Sequence, residues 1–440
     1  MTAPALLLRG ARLVDPLEGR DGIADVMVRE GRVERVADSI KDGGGAEVVD
    51  LTGMLLTPGL VDVHVHLREP GQEEKESIAT GTSAAAAGGF VAICAMPNTR
   101  PVVDDPELVR LVVDRAAESG PVRVHPIAAA TLGSRGERPT DVEALAAAGA
   151  VAISDDGLPI SDATLAEVLK RARAAGIPVA DHCESLDRSA GGAIFEGPLA
   201  RRLGVGGIPP EAESDAVARD LEALARAGGR LHVCHVSTAR SVERIRQAKA
   251  DGLPVTAEVT PHHLVLTVAQ VEASGTQAKM NPPLASFADR EAVRTALADG
   301  TIDCVATDHA PHTAAEKNRG LAEAPFGVIG LETAFAVLYS DLVESGILSL
   351  ETLVRRLSAD PARALGLEAP VVRPGARADL AAFDLETEWM VDPGRFRSLG
   401  RNTPFAGWRL RGRPVFTVAG GQVAYDGRQT AREVRRFGQR

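Results

Sequence analysis

The stretch GLVDVHVHLREPG, residues 59–71, places two histidines and an arginine two residues apart after an apolar run. Side chains at alternate positions of a strand share one face, so His64, His66 and Arg68 would point the same way if the strand extends that far. Two imidazoles and a guanidinium that converge on one spot indicate a cation bound next to an anionic ligand.

This stretch is the first of eight apolar, strand-like runs in the middle of the chain. Alanine- and leucine-rich helical stretches lie between several of them, and Gly149, Gly176 and Gly300 end three of those stretches as expected of helix C-caps. Strands that alternate with helices predict a parallel (β/α)8 barrel, with a doubly wound sheet as the alternative. The predicted strands are residues 59–66, 89–96, 122–130, 150–155, 177–183, 230–236, 253–259 and 302–309.

Short alternating β-segments separated by Gly and Asp turns flank this region on both sides. The economical arrangement is one small β-sandwich domain formed by both termini and interrupted by the barrel. The predicted domains are therefore residues 1–57, the barrel at 58–365, and the second part of the β-sandwich at 366–440.

Composition narrows the functional class. The chain has 440 residues with 45% hydrophobic and 25% charged residues, which describes an ordinary globular protein, and a net charge of −11, which argues against a nucleic-acid or anionic-membrane partner. Aromatics make up only 3%, so the core must consist of Ala, Val and Leu.

The N-terminal residues do not resemble a signal peptide or a membrane span. Four cysteines without CxxC spacing predict buried thiols in a reducing compartment, so we expect a cytoplasmic protein.

Metal-ligand side chains recur where the predicted strands end. Parallel strand ends of a barrel meet on one face, so we expect these side chains to converge there. Nitrogen and oxygen ligands without thiolate suit Zn²⁺, and six are too many for one tetrahedral ion with an open position. They fit two ions if a carboxylate bridges them. The six candidates are His64, His66, Asp155, His182, His235 and Asp308.

The bridging carboxylate comes from the motif ISDDG, residues 153–157. Asp155 is the natural candidate, and Asp156 is its rival, although strand alternation points Asp156 to the other face. Two ions that share a water make hydroxide available near neutral pH and polarise a carbonyl at the same place.

At these residues the chain resembles the amidohydrolase superfamily and, within it, the class I dihydroorotases. The similarity runs from about residue 55 to residue 365 and keeps the family's order of motifs. The motifs are HVHLREPGQEEKESIATGTSAAAAGGFVAICAMPNTRPVVD, ISDDG, DHCE, CHVST, EVTPHHL, KMNPPL, ATDHAPH and APFGVIGLET.

The resemblance implies a metal set and a catalytic residue. His64, His66, Asp155 and Asp308 would hold one Zn²⁺ and Asp155, His182 and His235 the other, so that each subunit carries two ions bridged by Asp155 and hydroxide. It favours Asp155 because the family's bridging Asp lies 27 residues before the next ligand, as Asp155 does before His182. Asp308 would also be the catalytic acid/base.

The resemblance also implies substrate contacts and one departure from the family pattern. Ala285 stands in KMNPPLAS where the family pattern leads us to expect a basic residue, which affects the geometry of that loop. The implied substrate-binding residues are His66, Arg68, Asn98, Asn281 and His312, with backbone groups at Phe326 and Gly327.

The implied reaction is the reversible cyclisation of N-carbamoyl-L-aspartate to dihydroorotate in pyrimidine biosynthesis. Its chemistry agrees with the residues. An amide is a poor electrophile whose nitrogen leaves poorly, so hydrolysis needs a strong nucleophile, a polarised carbonyl and a proton that Asp308 can shuttle. Arg68 can hold the substrate carboxylate with two hydrogen bonds, and Asn98 and Asn281 can fix the ring. The implied partners are a small-molecule substrate, a second copy in a homodimer, and aspartate carbamoyltransferase, without nucleic acid or membrane.

Two other functions remain open at this point. Dihydropyrimidinases, hydantoinases and allantoinases typically bridge their metals with a carboxylated lysine on the fourth strand, where AVAISDDG has none; the nearest downstream, Lys170, lies in a helical run. A catalytically dead paralogue that scaffolds aspartate carbamoyltransferase would have lost metal ligands, and all six are present.

The remaining histidines and cysteines have structural interpretations. His125 and His232 are assigned to barrel packing, and His262 and His263 to structural positions that could orient ligands. Cys183 and Cys234 each follow or precede a ligand and should face away from the site. Residues 313–327, polar and ending at a glycine, have the profile of a lid.

Overall fold

A computed structural model describes residues 5–428. The first four residues and the last twelve of the predicted 366–440 part lie outside the described residues. In chain order the strands are β1 (Leu6–Asp15), β2 (Arg20–Arg29), β3 (Arg32–Ala37), β4 (Glu47–Asp50), β5 (Leu55–Pro58), β6 (Leu60–Val65), β7 (Phe90–Ala95), β8 (Arg123–Ala129), β9 (Ala152–Ser154), β10 (Val179–Asp181), β11 (Gly192–Phe195), β12 (Gly206–Ile208), β13 (Leu231–Val233), β14 (Val255–Val259), β15 (Cys304–Val305), β16 (Leu380–Asp384), β17 (Trp389–Met390), β18 (Arg409–Leu410), β19 (Arg413–Ala419) and β20 (Gln422–Asp426).

Helices fill most of the connections between the middle strands. The α-helices are α1 (Ile78–Ala87), α2 (Pro106–Ser119), α3 (Val142–Ala148), α4 (Asp162–Ala175), α5 (Leu186–Ser189), α6 (Pro198–Leu203), α7 (Glu211–Ala227), α8 (Ala239–Ala250), α9 (Pro261–Val265), α10 (Gln270–Ser274), α11 (Phe287–Asp299), α12 (Ala314–Lys317), α13 (Ala334–Leu338), α14 (Leu350–Leu357) and α15 (Ala359–Ala364). Short 3₁₀ turns occur at Leu132–Ser134, Gly275–Ala278 and Pro393–Arg395, and Tyr339–Val343 is a π-helical turn.

The middle strands form the predicted barrel. Eight parallel strands lie in the order β6, β7, β8, β9, β10, β13, β14, β15. A parallel bridge between Val65 and His309 joins the first strand to the segment that follows the last, and the His66 N–H donates to the His309 carbonyl at 2.9 Å. All eight predicted strands are present, and each is shorter than its apolar run. The (β/α)8 prediction is confirmed, and the doubly wound alternative is wrong.

The helix ends follow the predicted glycine signals. Gly149, Gly176 and Gly300 follow α3, α4 and α11, and all three have left-handed backbone conformations. A residue with a Cβ is disfavoured there, so each glycine fixes where its helix stops and where the chain turns towards the next strand.

Many of the side chains in the barrel interior are small. Val63, Ala92, Ala152, Ala180 and Cys304 come from five different barrel strands and share one buried apolar cluster. The chain therefore fills the barrel with little aromatic volume, as its composition requires. The four cysteines are buried free thiols.

Strands from both ends of the chain form a second sheet in the region for which a β-sandwich is predicted. Its order is β20, β19, β16, β5, β1, β2, β3, with β4 paired to β1. Strand β5, which leads into the barrel, pairs antiparallel with β16, which follows it. Leu8, Val26, Leu380 and Phe416 share an apolar cluster separate from that of the barrel. These strands thus make one connected sheet with its own core.

One excursion was not predicted. After β10 the chain forms a small parallel pair, β11 and β12, before it reaches the long helix α7. Each of these strands has only three or four residues and contains glycine, so neither carries a hydrophobic period long enough to be recognised. Among the helices of residues 5–428, none is long and apolar enough to cross a membrane.

Candidate active site

One of the predicted ligands, His64, lies on the first barrel strand, His66 follows that strand directly, and a third ligand comes from the segment after the last strand. Nε2 of His66 lies 3.1 Å from Oδ1 of Asp308, and Nε2 of His64 lies 3.7 Å from the same oxygen. Asp308 has a φ of 46°, a conformation that residues other than glycine rarely adopt. The bridge between the two ends of the barrel therefore brings these three side chains together.

The ISDDG motif contributes Asp156, not the predicted Asp155. Asp155 accepts the backbone N–H of Thr131 at 2.9 Å and also the Thr131 hydroxyl, so it faces the neighbouring loop. Asp156 places Oδ1 3.3 Å from Nε2 of His64 and Oδ2 3.5 Å from Nε2 of His66. Strand β9 ends at Ser154, so strand alternation does not extend to the two aspartates, and the spacing to His182 selected the wrong neighbour.

His182 and His235 complete the cluster from the next two strands. Nδ1 of His182 lies 3.0 Å from Nε2 of His235, and the ring centroids of His235 and His64 are 5.1 Å apart. His182 immediately follows β10. His235 lies two residues after β13, with a φ of 32°. Five of the six predicted ligands thus converge, and Asp156 occupies the position expected of Asp155.

A buried carboxylate holds the cluster from behind. Glu258 on β14 places Oε1 2.7 Å from Nδ1 of His64 and Oε2 3.0 Å from Nε2 of His232, whose Nδ1 lies 2.8 Å from the Thr256 hydroxyl. Burial alone would raise the pKa of Glu258, but the two histidines hold it well below its ordinary value. The ionised carboxylate holds the proton of His64 on Nδ1, so Nε2, which faces Asp156 and Asp308, is the nitrogen available to a metal ion.

A second carboxylate borders His182. Oε2 of Glu184 lies 2.8 Å from Nε2 of His182 and accepts a hydrogen bond of 2.8 Å from the Asn281 amide. Burial opposes ionisation of Glu184, but the contact with His182 outweighs it and lowers the pKa of Glu184 to about 2. Glu184 is therefore an anion that links a predicted ligand to a predicted substrate contact.

The donor set fits divalent cations. Within residues 5–428, neither Nε2 of His64 nor Nδ1 of His235 has a hydrogen-bond partner, although both atoms are buried. Burial would lower the pKa of His64, yet Glu258 and Asp156 raise it well above its ordinary value. A potential that favours an extra proton on an imidazole favours a cation in the same place. Two of the groups whose ligand atoms lie close enough to share one ion contain only nitrogen and oxygen donors and include a histidine, namely His64, His66 and Asp308, and His64, Asp156 and His235.

All the predicted substrate contacts line one cavity above this cluster. The cavity has a volume of about 230 Å³, and Asp156, His182, His235 and Asp308 form part of its floor. The predicted contacts in its wall are His66, Arg68, Asn98, Asn281, His312, Phe326 and Gly327. Asn98 connects wall and floor, because its amide oxygen lies 2.8 Å from Nδ1 of His66 and its amide nitrogen 2.9 Å from Oδ2 of Asp156.

The Arg68 guanidinium is buried at the edge of the cavity. Strand β6 ends at Val65, and Arg68 reaches the cavity with a φ of 61°, not as a continuation of the strand. Its Nε donates to the Pro311 carbonyl at 3.3 Å, and it makes no ion pair with any residue that the structure describes. Burial lowers the pKa of Arg68 despite the nearby Asp308 and Asp156, as expected of a cation without a direct counter-ion.

His312 and the loop that carries Phe326 form the opposite wall. Nε2 of His312 lies 2.7 Å from the Phe326 carbonyl, so it carries a proton and donates to it. Nδ1 of His312 has no hydrogen-bond partner within the described chain, although Oε2 of Glu316 lies 3.8 Å away. Burial and the neighbouring Arg68 lower the pKa of His312 to about 3, so the ring is neutral and Nδ1 can accept a hydrogen bond.

Three functional side chains were missed or given another role. Glu184 stands two residues after His182 in DHCE, and Glu258 two residues before Thr260 in EVTPHHL. His232, assigned to packing, belongs to the chain of contacts that holds His64. The signal available in the sequence for the two glutamates was an acidic residue close to a histidine motif. His263 is structural, since it contacts the Pro282 carbonyl and the Thr260 hydroxyl.

The parallel barrel, the facing histidines and carboxylates, and a cavity with amide and guanidinium groups define a cyclic amidohydrolase. Comparison with known proteins agrees. The dihydro-orotase-like family matches residues 53–241. A dihydroorotase from Anaeromyxobacter sp. (strain K) is 50% identical over 424 residues, 96% of this chain and 98% of that protein. One from Bacillus cereus (strain AH820) is 48% identical over 93% of this chain and 95% of that protein. The chain belongs to the dihydroorotase family.

Solved structures show the same fold in related enzymes. The L-hydantoinase (dihydropyrimidinase) from Arthrobacter aurescens superposes with a TM-score of 0.86 at 28% identity, covering 97% of both chains. A D-hydantoinase superposes with a TM-score of 0.84 at 24% identity, covering 96% of this chain and 95% of that one. The similarity to hydantoinases extends over the barrel and the terminal strands, whereas the closer sequence similarity is to dihydroorotases.

Proposed function

We propose that this protein interconverts N-carbamoyl-L-aspartate and dihydroorotate in pyrimidine biosynthesis, with two Zn²⁺ ions in each subunit. The observation that carries the substrate assignment is the buried Arg68 guanidinium, which faces the cavity without a carboxylate partner among the described residues. A buried cation of this kind is costly unless a ligand supplies the anion, and both proposed substrates carry a carboxylate.

The proposed metal ligands are the observed cluster. His64, His66, Asp156 and Asp308 would hold one ion, and His182 and His235 would hold the other together with Asp156. Nitrogen and oxygen donors of this type suit zinc. Two such ions, when bound, lower the pKa of a shared water and polarise the amide carbonyl.

The protein's own groups then have distinct roles. Arg68 would bind the substrate carboxylate, His312 would contact the substrate beside it, and Asn98 and Asn281 would orient the ring through their amides. The Asp308 carboxylate would take the proton released by the attacking water and deliver it to the ring nitrogen as the C–N bond breaks. In the direction of synthesis Asp308 would remove a proton from the ureido nitrogen as that nitrogen attacks the carboxyl carbon, and would return the proton to the departing hydroxyl, which leaves as water. The same contacts would hold the chain in a ring-like conformation.

A hydantoinase or dihydropyrimidinase activity is the second candidate, because those enzymes are the structural neighbours. The fourth barrel strand, β9, contains only Ala152, Ile153 and Ser154, and Lys170 is an exposed residue of α4. A carboxylated lysine therefore has no position at the cluster, and Asp156 takes that place. The inactive-paralogue alternative has no support, since the cluster retains its histidines and carboxylates.

Steady-state assays with five substrates test the assignment. Purified protein should turn over dihydroorotate and N-carbamoyl-L-aspartate, and should act on dihydrouracil, hydantoin or allantoin at least about a hundredfold less well, because only the first pair supplies the carboxylate. Metal analysis of the same sample should give two zinc ions per chain. Faster turnover of dihydrouracil than of dihydroorotate would reject the proposal in favour of the second candidate.

Assembly and location remain predictions. A homodimer and a complex with aspartate carbamoyltransferase follow from the family resemblance, and analytical ultracentrifugation of the protein alone and mixed with that enzyme tests both. The buried free thiols support a reducing compartment such as the cytoplasm. Fractionation of cells that express the protein tests this point.

A further inference from the structure

Lys317 is an unusual residue at the end of the short helix α12. Its side chain is only 1% exposed, and it is among the largest fully buried side chains of the described chain. Lysine is almost never fully buried unless its ammonium is matched by partners, because removing the charge from water is costly. Within residues 5–428 it makes no ion pair with a carboxylate.

Three backbone carbonyls surround the ammonium group. Nζ of Lys317 donates to the carbonyl oxygens of Lys279 at 3.2 Å, Pro325 at 3.1 Å and Gly327 at 2.9 Å. A protonated lysine has three N–H bonds and no acceptor, so each bond has one carbonyl. The three carbonyl oxygens therefore stabilise the buried ammonium in place of a carboxylate counter-ion.

The three carbonyls belong to two separate segments that line the substrate cavity. Lys279 lies two residues before Asn281, and Pro325 and Gly327 enclose Phe326. The Gly327 N–H also donates to the Lys279 carbonyl at 3.0 Å. Lys317 thus lies behind the cavity wall and joins the segment that carries Asn281 to the segment that carries Phe326.

We propose that Lys317 is a positioning residue for the substrate, which sets the distance between the Asn281 side and the Phe326–Gly327 side of the cavity from behind. The proposal rests on the function proposed above, since it concerns the same cavity. It also revises the lid hypothesis for residues 313–327, because Lys317 joins the two ends of this segment and the Lys279 carbonyl outside it accepts hydrogen bonds from both Lys317 and Gly327.

Protonation of Lys317 should matter for this role. Burial and the neighbouring Lys279 lower the pKa of Lys317 to about 7. Below that value the ammonium serves three carbonyls; above it the neutral amine has two N–H bonds and presents a lone pair to the third. Substrate affinity should therefore weaken as the pH rises through neutrality.

Four other titratable groups lie around Lys317. His312 is neutral because its pKa is lowered to about 3, with Lys317 among the causes, and Glu316 is ionised because its pKa is lowered to about 2. Burial also lowers the pKa of Lys279, whose ammonium donates to the Ala322 carbonyl at 3.2 Å. Lys75 pairs with Glu316 on the outer side of the segment. Lys279 is thus the group whose titration has to be separated from that of Lys317.

The test uses the full-length protein loaded with zinc. Lys317→Met removes the donors, Lys317→Gln keeps two N–H bonds, and Lys170→Met makes the same change at an exposed lysine of α4 as a control. We expect the KM for dihydroorotate to rise by about tenfold or more in Lys317→Met and by less in Lys317→Gln, with kcat within a few-fold and zinc content unchanged. Lys170→Met should match the wild type.

The pH dependence separates positioning from a general structural role. The ratio of the KM of Lys317→Met to that of the wild type should fall towards one between pH 6 and pH 9. In a Lys279→Met background the same ratio should still fall with pH, but at higher pH values. Removal of the neighbouring cation raises the pKa of Lys317. A ratio that stays constant across this range, or a loss of active protein with unchanged KM, would overturn the proposal.

If the Lys317 variants fail to fold, the wild type still tests the proposal. Its KM for dihydroorotate must rise between pH 6 and pH 9, and a KM that does not change with pH would overturn the proposal. Failure of the proposed function gives a different result, because the wild type itself would then not turn over dihydroorotate at any pH.

Discussion

Glu258 lies 2.7 Å from Nδ1 of His64 on one side and 3.0 Å from Nε2 of His232 on the other, with all three side chains buried. One carboxylate therefore fixes the ring of a proposed metal ligand and is itself fixed by a histidine from the neighbouring strand. Orientation of this kind determines which imidazole nitrogen is free to coordinate.

We expect Glu258→Gln to weaken zinc binding about 10- to 100-fold, because the amide supports His64 less well than the carboxylate. Competition with a chromophoric chelator measures the affinity. Glu222→Gln, at an exposed position of α7, is the matched control and should bind zinc as the wild type does. Unchanged affinity in Glu258→Gln would show that Glu258 only packs.

The two aspartates of ISDDG should give opposite phenotypes. Asp156→Ala should reduce zinc content below the proposed two per chain and lower kcat/KM by at least about a hundredfold, because it removes the carboxylate proposed to be shared by the two ions. Asp155→Ala should retain zinc but lower the free energy of unfolding by about 1–3 kcal/mol, because Thr131 loses its acceptor. Metal analysis and urea unfolding of both variants check this pair. Loss of zinc in Asp155→Ala alone would restore the assignment based on sequence.

Removal of the Arg68 guanidinium should affect only substrates with a carboxylate. We expect Arg68→Ala to reduce kcat/KM for dihydroorotate by about 100-fold, since a charge-assisted contact to the carboxylate is lost. Any residual activity on dihydrouracil, which has no carboxylate, should remain within a few-fold of that of the wild type. Equal losses on both substrates would mean that Arg68 supports the cavity and does not recognise the carboxylate.

The segment after Asp308 should contribute stability that depends on pH. Partial burial opposes ionisation of Glu316, but its contact with Lys75 at 2.9 Å and the cap contacts with Thr313 lower its pKa from 4.5 to about 2. A carboxyl group with a lowered pKa stabilises the folded state above the unfolded value of 4.5, and that stabilisation is lost as the pH falls towards 2.

Glu316→Gln should therefore lower the free energy of unfolding by about 1 kcal/mol at pH 7, a value reduced for exposure to solvent. The difference from the wild type should shrink as the pH falls from 5 to 3.5. Urea unfolding at several pH values measures it, and Lys75→Met tests the share of the ion pair. A difference that grows on acidification would contradict the assignment.

The apolar runs and the glycines at helix ends were sufficient to predict the barrel architecture from the sequence. Each apolar run from residue 59 to residue 309 became a barrel strand, since a buried parallel strand leaves a continuous apolar signature. The pair β11 and β12 left no such signature, because strands of three or four residues with glycine carry no readable period.

The site was predictable in its composition but not in every orientation. Asp155 and Asp156 differ only in where β9 stops, and a turn that begins one residue earlier exchanges which carboxylate faces the histidines. Glu258 and Glu184 depend on contacts across strands that are distant in sequence. Arg68 reached the cavity through a left-handed backbone conformation that strand alternation does not predict.

The pairing of β5 with β16 has a mechanical consequence. Strand β5 precedes the barrel in the chain and β16 follows it. Thr57 and Ala381 lie opposite one another although 324 residues separate them. A pulling force applied to the ends of the described chain would pass through the strands of this sheet, and the barrel would feel little tension while the pairing of β5 with β16 holds. Attachment of the protein to a surface or a fusion partner through its ends should accordingly leave turnover intact.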